Sequence, residues 1–160
     1  MKKARLLTVG VAAVLVIGAT AWRAHSHCQI PCGIYDDDAR LAAIKEHIGT
    51  VDKSMRQIEE LSAAKKVNYN QLVRWVHNKE VHADKISEIV TYYFMTQRIK
   101  PADPKDAKAY AEYVKKLTLL HRMLVAAMKA KQTTDLQYTQ ELDTLLHEFT
   151  HAYGSKAHKH

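Results

Sequence analysis

The stretch DDDARLAAIKEHIGTVDKSMRQIEEL, residues 36–61, sets the architecture of this 160-residue chain. Its apolar side chains recur every three or four residues, at Leu41, Ile44, Ile48, Val51, Met55, Ile58 and Leu61. This spacing places them along one face of an α-helix. Three aspartates stand at its start, where a capping oxygen and negative charge stabilise a helix. The stretch therefore predicts a long amphipathic helix that begins at about residue 36.

Three further segments repeat this pattern after short breaks. The second predicted helix runs from about residue 70 to 98 and ends at KPADP, whose two prolines stop it. The third runs from about 105 to 131, and the fourth follows QTTD and ends at Gly154. The residues predicted to face inwards on these helices are Leu72, Trp75, Val76, Ile86, Ile89, Val90, Tyr93, Tyr110, Val114, Leu117, Leu120, Leu124, Met128, Leu136, Leu142, Leu145, Phe149 and Ala152.

No segment shows the pattern of a β-strand. Four helices with short connections predict an all-α fold, an antiparallel up-and-down four-helix bundle over about residues 36–154. A polar tail, 155–160, follows it, and its histidines His158 and His160 are expected to be solvated.

The beginning of the chain has the pattern of a secretory signal peptide. The basic MKKAR is followed by the apolar LLTVGVAAVLVIGATAW, residues 6–22. Ala24 and Ser26 are the small residues required before a cut at His27. The alternative is an uncleaved membrane anchor, for which the apolar run is short. We expect removal of residues 1–26 by a signal peptidase or an equivalent enzyme, leaving one domain, 27–160, that is periplasmic or extracellular and not stably membrane-associated.

This cleavage also changes the charge of the protein. Loss of Lys2, Lys3, Arg5 and Arg23 reduces the formal net charge from +7 to +3. The basicity therefore belongs mainly to the targeting segment, and nucleic acid is not an expected partner.

Cys28 and Cys32 are the only cysteines of the chain. In an exported protein two cysteines usually form a disulfide, but a bridge over so short a loop at a chain end would restrain little of the unfolded chain. Cleavage before His27 supplies an alternative. The free amine of His27, the amide nitrogen of Cys28 and the two thiolates can form a square plane around a metal, and the imidazole of His27 can reach an axial position. Such a plane favours nickel(II) or copper(II) over tetrahedral zinc, and Pro31 and Gly33 allow the required turn.

The segment HCQIPCGIY, residues 27–35, resembles the nickel hook of nickel superoxide dismutases, whose pattern is His-Cys-x-x-Pro-Cys-Gly-x-Tyr. The resemblance implies one nickel per chain that cycles between Ni(II) and Ni(III) and disproportionates superoxide. His27 would supply the amine and the axial imidazole, Cys28 an amidate nitrogen and a thiolate, and Cys32 the second thiolate. Tyr35 would stand near the open face where superoxide approaches. The resemblance also implies a homohexamer.

The sequence departs from this family at two positions. Many members hold the axial imidazole with a Glu and an Arg, and here Ala42 and His82 align with them. We hypothesise that His82 helps to orient His27, since hydrogen bonds from outside the metal's ligand set fix the ring of a bound histidine. The alternative is that His82 is a packed core residue.

Two other functions were weighed. HEFTH, residues 147–151, matches the zinc-protease pattern HExxH and places His147 and His151 on one helix face. The extended zinc pattern needs a histidine at Ala157, however, and His158 is one residue late. The other alternative is a non-enzymatic helical module that binds or carries copper or nickel through the same N-terminus.

Overall fold

A computed structural model of the protein describes residues 33–154. The predicted signal peptide, the predicted ligands His27, Cys28 and Cys32, and the tail lie outside this range. Within it the helices are α1, Asp37–Ser62; α2, Tyr69–Glu88; a π-helical segment, Ile89–Arg98, that continues α2; α3, Ala107–Gln132; and α4, Gln137–Gly154. Residues 33–154 contain no strand. None of the described helices is long and apolar enough to cross a membrane.

Side-chain caps define where three of the helices begin. Asp36 accepts a hydrogen bond from the amide of Ala39 at 2.9 Å, and Asp106 accepts one from Ala109 at 3.0 Å. Asn68 caps α2 in the same way. A helix leaves its first amides without backbone partners, and a short polar side chain in front of it satisfies one of them. The predicted acidic start of the first helix is thereby confirmed.

The helices form a closed ring of contacts. Each packs against the next in the chain, and α4 packs against α1. The order of bonded partners along α1 and α4 shows that these two helices run in opposite directions. The pairs are Asp37 with Tyr153, Lys45 with Asp143, and Asp52 with Thr139. The described residues thus form a four-helix bundle, as predicted.

The interior of the bundle is aliphatic over most of its length and aromatic at one end. Phe94 lies at the centre of the aromatic end, with its ring centroid 5.1 Å from that of Phe149 and 5.6 Å from that of Tyr153. The fully buried aliphatic side chains include Ile44, Val51, Met55, Ile86, Val90, Leu120, Met123, Leu142 and Leu145. Close packing of this kind fixes the rings that carry the polar groups described below.

Two details of the predicted helices were wrong. Tyr110, Val114 and Met128 are 39–48% exposed, because α3 turns Leu119, Met123, Ala127 and their neighbours inwards instead. Val76 on α2 is also exposed. The second predicted helix is α-helical only to Glu88 and π-helical from Ile89 to Arg98.

Candidate functional site

Tyr35, the last residue of the predicted hook, lies at the aromatic end of the bundle. Its ring meets the ring of Tyr93 edge-on, with centroids 6.0 Å apart. The guanidinium of Arg98 lies over the same ring, 4.4 Å from its centroid, which is cation–π distance. The side chain keeps solvent access, since Tyr35 is 39% exposed. Tyr35 is therefore oriented by two side chains while part of it still faces water.

Gly33 lies at the beginning of the described chain and has a φ of 78°. This left-handed conformation is unfavourable for a residue with a Cβ and costs glycine nothing. Gly33 thus has a backbone conformation that suits the predicted turn, whose other residues lie outside the described range.

The carboxylate of Asp37 is the hub of the polar cluster beneath Tyr35. It accepts two parallel bonds from Arg98, from Nε at 2.8 Å and Nη2 at 2.7 Å. It also accepts from the hydroxyls of Tyr93 at 2.6 Å and Tyr153 at 2.8 Å. Paired bonds between a guanidinium and a carboxylate fix geometry as well as energy. This cluster ties the first residues of α1 to the π-helical segment and to α4.

The cluster shifts the pKa of each of its members. Burial alone would raise the pKa of Asp37, but hydrogen bonds from Arg98, Tyr93 and Tyr153 outweigh it and lower the pKa below its usual value. Burial, together with the hydrogen bond to Asp37, raises the pKa of Tyr153 to about 12 and that of Tyr93 well above its ordinary value. The hydrogen bond to Asp37 also raises the pKa of Arg98. Asp37 and Arg98 are charged and both phenols are protonated at neutral pH.

The π-helical segment explains how Tyr93 and Arg98 reach one carboxylate. Two residues five positions apart in an α-helix are separated by about 140° around its axis, so Tyr93 and Arg98 would point in different directions. In a π-helix the backbone bonds join residues five apart, and the amide of Ile99 donates to the carbonyl of Phe94 at 2.9 Å. The wider turn places Tyr93 and Arg98 on the same side of the helix.

His82 and Ala42, the two positions at which the sequence was expected to depart from the family, form none of the hydrogen bonds of this cluster. Ala42 is exposed on α1. His82 is half-buried, and its Nδ1 lies 3.1 Å from the Nδ1 of His47. His47 stands ten residues after Asp37, about 15 Å along α1. The described partner of His82 is thus another histidine, which agrees with the packing alternative; support of His27 by His82 stays a prediction.

The HExxH residues also lie on the bundle. His147 and His151 share one exposed face of α4, as predicted from their spacing, with their Nε2 atoms 3.1 Å apart. Residues 33–154 hold no cluster of three or more histidine, cysteine or acidic side chains arranged to bind a metal ion. Within that range, the histidine pair therefore lacks the third protein ligand of a catalytic zinc site.

Most of the cluster around Asp37 was not predicted from the sequence. Tyr93 was assigned to packing, and Asp37 to the charge at a helix start. Arg98 and Tyr153 were given no role. One signal was present in the sequence, because Asp37 stands only two residues after the predicted site residue Tyr35.

These observations define a class of protein. It is a four-helix bundle in which a partly buried carboxylate–guanidinium–phenol cluster holds the residues that follow a His-Cys-x-x-Pro-Cys-Gly segment. The model of one protein family, nickel-containing superoxide dismutase, matches residues 22–157, most of the chain. The chain belongs to this family and is accordingly an oxidoreductase that acts on superoxide, with nickel as the family's metal. Comparison with curated proteins and with solved structures gives no match.

Proposed function

We propose that the chain disproportionates superoxide to O2 and H2O2 at a nickel ion held by His27, Cys28 and Cys32. The observation that carries the proposal is the family match, which spans the complete segment 27–35. The donor set fits the metal. Two nitrogens and two thiolates suit square-planar nickel(II), and anionic thiolate and amidate donors stabilise nickel(III).

The reaction needs one electron to pass between two superoxide ions. The first gives up an electron and leaves as O2, and the second takes up that electron with two protons and leaves as H2O2. A nickel ion held by His27, Cys28 and Cys32 would supply this exchange by cycling between Ni(II) and Ni(III). The free amine of His27 requires removal of residues 1–26, so export and activity are linked.

Tyr35 and Arg98 shape the approach of the substrate. The guanidinium of Arg98 lies over the ring of Tyr35 and orients it. Asp37 balances part of the charge of Arg98 and holds the guanidinium in place. Tyr35 thereby presents an oriented phenol, with water on its exposed side.

We further propose that the mature protein, residues 27–160, is periplasmic or extracellular and forms a homohexamer. Two observations favour assembly. A hook of nine residues at a chain end has little of its own to bury, and α2 exposes an apolar stripe, formed by Tyr69, Val73 and Val76 at helical spacing.

The proposal is tested by removing the thiolates. The double variant Cys28→Ser/Cys32→Ser should lose the redox-active nickel and superoxide turnover, while circular dichroism shows an unchanged helical body. A protein with one extra residue before His27 should bind and turn over poorly as well, because its amine is displaced. His147→Ala is the matched control and should retain turnover. Full activity in the double Ser variant would show that the hook is not the site.

The same experiment separates the enzyme from a copper or nickel carrier. A carrier would hold nickel through His27, Cys28 and Cys32 without steady turnover of superoxide. Turnover that follows nickel content supports the enzyme.

A further inference from the structure

The two histidines of the HEFTH segment form a pair with the geometry of a chelate. The Nε2 atoms of His147 and His151 are 3.1 Å apart, and their ring centroids are 4.4 Å apart. Both side chains are exposed, so neither has to find a partner inside the protein. For a metal ion about 2.1 Å from both nitrogens, the nitrogen–metal–nitrogen angle would be about 95°.

This angle is closer to the geometry that some metals prefer than to that of others. Zinc in proteins is almost always tetrahedral, which requires a wider angle between ligands. Square-planar and tetragonal nitrogen sites favour copper(II) and nickel(II), whose adjacent ligands are close to 90° apart. The pair therefore suits copper(II) or nickel(II) better than zinc.

The position of the pair on α4 also favours a cation. His151 lies in the last turn of the helix, where the aligned peptide dipoles place partial negative charge. Lys115 and Lys116 of α3 line one groove beside His151. A second cleft, lined by both histidines, contains Lys45 of α1, which is ion-paired with Asp143. The charge of Lys45 is thus largely compensated on the side of the cleft that the histidines share.

The other histidine pair provides a contrast. His47 and His82 have their Nδ1 atoms at the same separation, 3.1 Å, but they are half-buried. Burial and the charge of Lys85 lower the pKa of both rings, which shows a local environment that opposes positive charge. Binding of a metal cation at His47 and His82 is unfavourable for the same reason, whereas the pair on α4 faces water.

We propose that His147 and His151 form a second, solvent-facing site for one copper(II) or nickel(II) ion, separate from the hook. The two Nε2 atoms supply adjacent ligands, and water completes the coordination. The site binds metal and has no part in the superoxide reaction.

Isothermal titration of the mature full-length chain with nickel chloride and with copper chloride tests this site. The background variant His27→Ala/Cys28→Ser/Cys32→Ser removes competition from the hook. It should bind one ion per chain, copper more tightly than nickel, and more weakly in acid because protons compete for the imidazoles. Adding His151→Ala should reduce the affinity for the metal at least about tenfold. Loss of a residue that only hydrogen-bonds to a metal ligand already has an effect of roughly that size.

Two controls make the result decisive. His121→Ala removes an exposed histidine from α3 and should change nothing. His158→Ala/His160→Ala removes the tail histidines; if this variant loses the ion, the binding is adventitious and the proposal fails. Unchanged affinity in His147→Ala and His151→Ala would also overturn it. The copper(II) form of the intact pair should show magnetic resonance coupling to two imidazole nitrogens.

Discussion

The carboxylate of Asp37 accepts four hydrogen bonds from three side chains, those of Arg98, Tyr93 and Tyr153. We predict that Asp37→Asn lowers the free energy of unfolding by about 2–4 kcal/mol, since it leaves the charge of Arg98 uncompensated and half-buried. Turnover per bound nickel should fall as well, because Tyr35 loses the Arg98 that orients it. Urea unfolding and superoxide assays on the mature protein measure the two effects. Asp38→Asn, at an exposed position of the same turn, is the control.

The same residue contributes to the pH dependence of stability. The pKa of Asp37 is lower in the folded than in the unfolded protein. Its stabilisation is therefore complete above about pH 4, the ordinary range of an aspartate, and is lost as the pH falls through the folded value. The Asn variant should show a shallower loss of stability in acid than the wild type. Equal slopes would mean that the cluster does not depend on the carboxylate.

His82 offers a second test at this scale. Burial and Lys85 lower the pKa of His82, and burial, His82 and Lys85 lower that of His47. These two histidines therefore bind protons more readily in the unfolded chain than in the folded one. Their contribution to the free energy of unfolding is complete above about pH 6.5, the ordinary pKa of histidine, and is lost as the pH falls below it. We predict that His82→Gln flattens this loss between pH 7 and 5 and leaves turnover per nickel unchanged. A changed turnover or nickel(III) spectrum would instead support the role in orienting His27; His77→Gln is the control.

At the scale of elements, a buried lysine joins two helices. The ammonium of Lys79 on α2 donates to the carbonyls of Ala130 at 2.9 Å, Thr133 at 3.2 Å and Lys131. These groups end α3 and have no partner within their own helix. Lys79 therefore caps α3 from a neighbouring element, where a cation also meets the negative end of the helix dipole.

Replacing this lysine should destabilise the bundle without changing its fold. Lys79→Met keeps the length of the side chain and leaves buried carbonyls unsatisfied, which costs about 2–4 kcal/mol of the free energy of unfolding. Thermal and urea unfolding measure it, and Arg74→Met, an exposed change on the same helix, should have little effect. A loss no larger than that of the control would show that water replaces Lys79 at the end of α3.

At the scale of the whole molecule, the apolar stripe on α2 is the expected contact between subunits. Tyr69 is 72% exposed and Val73 65% exposed, which is unusual for residues aligned along one helix face. We predict that Val73→Asp dissociates the proposed homohexamer, because an aspartate would have to be buried in the interface. Light scattering on the nickel-loaded protein measures the mass. Val114→Asp, at an exposed position of α3, is the control. Dissociation by Val114→Asp and not by Val73→Asp would show that the subunits meet at α3.

The helices of the bundle could largely be predicted from the sequence, because amphipathic spacing is a local property. Asp36, Ile44 and Phe149 have the predicted roles. The inner face of α3 was predicted only in part, since Leu120 is buried as predicted but three other predicted residues are exposed. Tyr110, Val114 and Met128 fit a helical stripe as well as the buried set does, and only packing against the other helices distinguishes the two faces.

The proposed ligands in segment 27–35 rest on the sequence alone, because their types and spacing lie within nine residues and need no tertiary structure to be recognised. The cluster around Asp37 was decided by the tertiary structure. Its members stand at positions 37, 93, 98 and 153, and no local pattern relates them. Tyr93 and Arg98 meet Asp37 because a π-helical turn brings them to one side, and Tyr153 arrives from α4. Such a meeting depends on how the helices pack, which local spacing does not encode.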